Sequence, residues 1–181
     1  VATLRKLGLA YGFQVDDVPA VSWRGMPVSS TEIRKRIVEG NVSRAGRKLA
    51  RPHCLDGAVV SGHGIGSRQT VPTLNLDTGA EVIPRDGVYI TRTVDLEDGR
   101  RWPSITNIGT RPTFGGEDRT VETFLLAPLE GETPARIRVE FCRRVRDERK
   151  FDSPELLKTQ ILKDVARART FWRRVRAWSR G

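Results

Sequence analysis

Three glycines alternate at Gly62, Gly64 and Gly66, an arginine follows at Arg68, and the segment closes on Pro72-Thr73-Leu74-Asn75. Alternating glycines let a backbone turn sharply and bring its N–H groups close to a ligand. Consecutive N–H groups in such a turn form an anion-binding nest, and Arg68 adds a fixed positive charge. Beyond Pro72 the pattern is extended, so Leu74 and Leu76 take one face and Thr73 and Asn75 the other. That sets a hydroxyl beside an amide oxygen, both hard neutral donors of the kind Mg²⁺ accepts next to phosphate. The chemistry on offer is a phosphate loop, Gly62 to Arg68, leading into a metal-binding strand start. The same residue types also build plain turns at strand edges. The stretch is not a P-loop, because no Gly-Lys-Ser/Thr follows. Nor is it a dinucleotide fingerprint, because a strand and not a helix comes next.

A second chemical candidate lies on Val121-Glu122-Thr123-Phe124-Leu125-Leu126. Alternation puts Glu122 and Phe124 on one face and Val121 and Thr123 on the other. A carboxylate beside an apolar ring is a candidate general base; an exposed strand glutamate is the plain alternative.

These residues need a frame. From Cys54 the hydrophobic period becomes two: Leu55 with Ala58 to Val60, Leu74 to Leu76, Val88 to Val94, Trp102 to Ile108, Thr120 to Leu126 and Ile137 to Phe141 read as strands. Asp98-Gly99 is a hairpin signal between two of them. Six short antiparallel strands with turn signals predict a barrel. A long helix follows: Ser153 caps it, Pro154 takes its first position, and Glu155 suits its positive end. Leu157, Ile161, Val165, Ala168, Trp172 and Val175 recur at three and four, a stripe that packs on the barrel. Upstream, Leu4, Leu7 and Leu9 predict a short helix ending near Gly12. Phe13 to Val15 reads as a strand and Val18 to Trp23 as extended, like the end of an α/β domain. Ser29-Ser30-Thr31-Glu32 is a capping box opening a helix with Ile33 and Ile37 on one face. A further short helix spans Asn41 to Leu49. The division expected is residues 1–50, then 51–181.

The chain has 181 residues and a net charge of +10. Much of the excess lies late, from Arg143 to Lys150 and from Arg167 to Arg180. Such a balance invites nucleic acid as a partner; a charge run is usually a solvated face, and a triphosphate-bearing substrate also fits it. Nucleic-acid binding by a small barrel needs interleaved aromatics, and Trp102, Trp172 and Trp178 do not cluster with arginines on strands. No apolar run reaches membrane-spanning length, and no signal peptide opens the chain, so a cytoplasmic protein with reduced Cys54 and Cys142 is expected. Neither cysteine has the spacing of a zinc site.

The glycine loop with Pro72-Thr73-Leu74-Asn75 resembles the Gly-rich flap and Pro-Thr-Ala-Asn motif of riboflavin kinases. Gly87-Val88-Tyr89, Asn107-Ile108-Gly109-Thr110-Arg111-Pro112-Thr113-Phe114, Glu122, and Arg146 through Phe151 match the same family in the same order. Val28 to Arg34 resembles the closing motif of the nucleotidyltransferase domain that precedes the kinase in bacterial bifunctional riboflavin kinase/FAD synthetases. The resemblance implies a six-stranded Greek-key barrel with a long C-terminal helix, mainly β, after a short α-rich remnant of an α/β domain. It implies ATP and riboflavin as substrates, FMN as product, and Mg²⁺. It places Gly62, Gly64, Gly66, Arg68, Thr73 and Leu125 at ATP, Thr73 and Asn75 on the metal, Arg146, Arg149 and Phe151 at the flavin, and Glu122 as the base. A third possibility is a catalytically inactive remnant. The His-x-Gly-His motif of the nucleotidyltransferase half is missing from these residues, so FMN adenylylation is expected only of a longer chain. Thr70, Leu74 and Thr133-Pro134-Ala135 depart from the family pattern.

Overall fold

The structure is a computed structural model that describes residues 1–60, 73–113 and 116–178. Residues 1–30 and 31–181 form two compact units. In the first, α1 (Ala2–Tyr11) ends on Gly12, whose left-handed φ of 75° lets its N–H reach the Gly8 carbonyl, the usual glycine stop of a helix. β1 (Ser22–Trp23) and β2 (Met26–Pro27) form a hairpin whose turn, Arg24-Gly25, has positive φ at both residues, as a two-residue primed turn requires. Phe13 to Val15 forms no strand, contrary to the alternation of its side chains. An extended segment becomes a strand only where a neighbour takes its backbone hydrogen bonds, and none of the described strands lies beside it.

In the second unit, α2 (Ser30–Val38) buries Ile33 and Ile37, the pair expected on one face, and Glu32 and Arg36 pair one turn apart at 2.8 Å. α3 (Val42–Leu49) buries Val42 in the barrel core and donates the Ser43 hydroxyl to the Cys142 carbonyl at 2.9 Å. Then come β3 (His53–Val60), β4 (Thr73–Asp77), β5 (Gly87–Asp95), β6 (Arg101–Thr113), β7 (Gly116–Leu125), β8 (Arg136–Arg146) and α4 (Pro154–Trp178). The six strands close into a barrel in the order β3-β4-β7-β6-β5-β8, antiparallel at every junction. β5, β6 and β7 run as a meander while β4 lies beside β7, the Greek-key exchange.

Alternation divides every strand between two faces. Leu55, Leu74, Leu76, Tyr89, Ile108, Val121, Leu125, Ile137, Val139 and Phe141 fill the interior. Among the described residues five interior positions are hydroxyls, all fully buried and linked: Thr93 and Thr91 to Ser104, Thr91 to Thr106, and Thr106 to Thr123, at 2.8–2.9 Å. Each buried aliphatic or aromatic side chain contributes about 1.5–3 kcal/mol, against about 1 kcal/mol net for a hydrogen bond. The apolar interior therefore supplies the stability. The hydroxyl chain fixes the register of β5, β6 and β7, since a one-residue slip would turn these groups outward.

α4 lies against the barrel's outer face. Ser153 Oγ accepts the Leu156 N–H at 3.3 Å, and the Glu155 carboxyl is held below its ordinary value by its own backbone N–H and the Ser153 hydroxyl. Ala168 packs with Val88, Ile90 and Ile105, joined by Phe124, Val165, Phe171 and Trp172. The buried line of the helix is Gln160, Asp164 and Ala168, while Leu157 and Val175 of the expected stripe are exposed. The N-terminal half of the helix meets the barrel through polar pairs, and this rotates the apolar stripe away from its ends.

Candidate active site

Strand register gathers the chemical residues into one line. Asn75 of β4 stands opposite Glu122 of β7; Glu122 stands opposite Asn107 of β6; Asn107 opposite Val88 of β5; and Val88 opposite Arg146 of β8. Neighbouring strands lie about 4.8 Å apart, so Glu122 sits one strand spacing from both amides. Thr73, two residues before Asn75, faces Phe124. Leu74, Leu76 and Thr123 are buried inside, so Thr73, Asn75, Asn107 and Glu122 lie on the outer face, each half-buried. The expected split between Leu74/Leu76 and Thr73/Asn75 is what forms. Phe124, on the face of Glu122, joins the apolar cluster beneath α4. A carboxylate, two amides and a hydroxyl thus edge an apolar surface.

The far end of the line is built by β8 and α4. Arg146 donates its Nε–H to Asp164 at 2.8 Å, and Gln160 donates to the other Asp164 oxygen at 2.9 Å. Arg149 donates to Gln160 Oε1. The guanidinium carbons of Arg146 and Arg149 lie 5.7 and 4.8 Å from the Phe151 ring centroid, within cation–π range. Arg146, Arg149 and Phe151 are therefore one assembly, held by two polar residues of the helix. Gln160 and Asp164 carry no signal in the sequence beyond their i,i+4 spacing, and their polarity places them on the wet face of a helical wheel.

Two close approaches bring this assembly towards the Asn107 and Glu122 end of the line. A side chain on Gly87 would stand 2.5 Å from the Arg146 carbonyl, so only glycine lets β5 start against the end of β8. Glu148 lies with its carboxylate against Gly109, two residues beyond Asn107 on the same face of β6. The β8–α4 connection is thereby carried from Arg146 across to the neighbourhood of Asn107. Arg144 donates to Asp147 at 2.7 Å and holds that carboxyl below its usual range.

Leu125 is not on this surface. It is fully buried in the barrel interior, on the face opposite Glu122, so its side chain is core. Gly62, Gly64, Gly66 and Arg68 lie outside the described residues. Asn107, named in sequence only as part of a matching motif, acquires its place beside Glu122 through a cross-strand pairing that spacing along one strand does not reveal. The donors Thr73 and Asn75, with Glu122 opposite Asn75, are all hard oxygens on one face, a set that fits Mg²⁺.

The family model for riboflavin kinase matches residues 49–172, and the chain belongs to the riboflavin kinase family. It is 36% identical over 167 residues to a bifunctional riboflavin kinase/FMN adenylyltransferase of Pseudomonas fluorescens, covering 92% of this chain and 53% of that protein. The corresponding protein of Escherichia coli K12 is 32% identical over 169 residues, covering 93% and 54%. The chain thus spans about half the length of the curated relatives it matches. A solved structure titled macrolide-efflux protein, from Streptococcus pneumoniae, superposes with a TM-score of 0.77 at 30% identity, over 91% of this chain and 54% of that one. Among the described residues, no helix of this chain is long and apolar enough to cross a membrane.

Proposed function

We propose that the chain transfers the γ-phosphoryl group of ATP to the ribityl 5′-hydroxyl of riboflavin, giving FMN and ADP. The observation that carries this reading is the pairing of Asn75 with Glu122 across β4 and β7, with Thr73 on the same face. It sets hard oxygen donors one strand spacing from a carboxylate, and phosphoryl transfer needs a metal–phosphate site next to a group that takes the acceptor's proton.

In this reading Glu122 accepts the hydroxyl proton as the ribityl oxygen bonds to phosphorus and the bond to the β-phosphate oxygen breaks. Thr73 and Asn75 would hold Mg²⁺, which when bound neutralises charge on the phosphate oxygens. Gly62 to Arg68 would cradle the triphosphate. Phe151, with Arg146 and Arg149, offers a flat face and positive charge to the flavin ring, and the Glu148 contact keeps that loop near Asn107. Residues 1–50 read as the end of a nucleotidyltransferase domain and 51–181 as the kinase domain, in a cytoplasmic protein. Residues 1–181 incubated with ATP, riboflavin and Mg²⁺ should form FMN, detectable by chromatography with fluorescence. Absence of FMN from folded protein that binds both substrates would sink the assignment.

A further inference from the structure

α4 crosses the barrel over Ile105 of β6. Thr73, Asn75 and Glu122 lie to one side of that crossing, on β4 and β7. On the other side, between α4 and strands β5 and β8, is a groove of about 950 Å³. Among the described residues four arginines line it: Arg143 and Arg144 from β8, Arg167 and Arg174 from α4, the latter two separated by two helical turns. Its floor is apolar, with Ile90 and Phe171, and none of its described lining residues is acidic.

The arginines are not equally engaged. Arg144 is fixed by Asp147, the Asp86 carbonyl and the Tyr89 hydroxyl, and Arg167 lies 3.9 Å from Asp164. Arg143 and Arg174 have no hydrogen-bond or ion-pair partner among the described residues. The Arg144 guanidinium is turned to Tyr89, on the interior face of β5, so the charges that serve the groove are Arg143, Arg167 and Arg174. Like charges around one cavity raise a positive potential that concentrates anions, and the two unpaired guanidinium forks are shaped for phosphate. The volume is that of a small-molecule pocket. Arg143, Arg167 and Arg174 line one cavity. Phe171 meets Trp172 edge-on at 5.3 Å, so these two rings give no run of parallel platforms for successive bases.

We infer that this groove is a second ligand site, binding a phosphorylated small molecule with a flat apolar body: phosphate on Arg143 and Arg174, body on Ile90 and Phe171. The site rests on its own charges and volume; only the choice of probes rests on the kinase reading. FMN and ADP share this chemistry and are the two sources to separate.

The test is calorimetric titration of the chain with FMN, ADP and inorganic phosphate, in the parent and in the Arg143→Gln/Arg174→Gln double variant. The parent should bind at least one of FMN and ADP at one equivalent more than the variant, or at least tenfold more tightly at one class of site. FMN formation from riboflavin should be the same in both proteins. Preference for FMN names a flavin phosphate as occupant, and preference for ADP an adenine nucleotide. Identical stoichiometry and affinity in the two proteins overturns the site. Inorganic phosphate binding as tightly as either probe overturns the role of the apolar floor. A single-stranded oligonucleotide that binds through the same two arginines and is not displaced by FMN or ADP overturns the small-ligand assignment. Should the chain form no FMN from riboflavin while the double variant still loses an equivalent, the groove stands and the kinase reading falls.

Discussion

Arg146 at the end of β8 and Asp164 of α4 form an ion pair of 2.8 Å in which the aspartate side chain is 3% exposed and the arginine 17%. Removing one partner of a buried pair strands the other charge, at about 3–5 kcal/mol. Arg146 keeps some solvent, so Asp164→Ala should lower the unfolding free energy by about 3 kcal/mol, near the bottom of that range. Glu39→Ala, at an exposed pair with Arg36, should cost less than about 0.5 kcal/mol. Denaturant unfolding of both variants measures the contrast. Equal, small losses would show that the Arg146 assembly is not anchored by the helix.

Thr73→Ala and Asn75→Ala each remove one proposed Mg²⁺ donor from the face that Glu122 shares. Both should raise the Mg²⁺ concentration needed for half-maximal FMN formation and weaken productive ATP binding. If both variants follow the parent's curve across a Mg²⁺ titration, the metal is held elsewhere.

His53, at the start of β3, lies with Nε2 3.1 Å from the Val82 carbonyl and its ring stacked near Phe141. Burial lowers its pKa below the ordinary value, the Val82 bond opposing this in part. The unfolded chain therefore takes up this proton at higher pH than the folded one. The stability tied to neutral His53 is fully present above about pH 6.5, the unfolded value, and is lost as pH falls through the lowered folded value. In His53→Phe the fall in denaturation midpoint between about pH 7.5 and 5 should be shallower than in the parent. Parallel curves would remove His53 from the account.

The two histidines of the chain, His53 and His63, form no His-x-Gly-His motif. Residues 1–181 should therefore make no FAD from FMN and ATP. Pyrophosphate release above background in that mixture would contradict this.

Period-two alternation made the barrel legible, because each of the six strands turns one face into a closed interior, the outer face being buried where α4 packs on Val88, Ile90 and Ile105. Ser153 and Pro154 likewise marked the start of α4, where local chemistry decides. What alternation along one strand cannot encode is which residue of another strand stands opposite. The line from Asn75 through Glu122 and Asn107 to Arg146 exists only in the register. Leu125, expected at ATP, shares β7 with Glu122, but alternation turns its side chain into the core. Gln160 and Asp164 were invisible because polarity argues for solvent, and Arg146 at the end of β8 and Arg149 just beyond it reverse that. Phe13 to Val15 had the side chains of a strand and, among the described strands, no neighbour to pair with.

The central claim is that Glu122 is the base. The ribityl hydroxyl is a weak nucleophile whose proton must leave as the bond to phosphorus forms, and positioning and Mg²⁺ supply most of the remaining acceleration. Glu122→Gln is nearly isosteric and lies on a half-buried outer position, so the fold should persist. The deciding measurement is the turnover of Glu122→Gln at saturating ATP, riboflavin and Mg²⁺, taken with the affinities for both substrates in the same variant. The catalytic constant should drop by roughly 10²–10⁴ while both affinities stay near the parent's. Turnover intact at saturation, with the loss confined to affinity, would make Glu122 a binding residue and contradict the account.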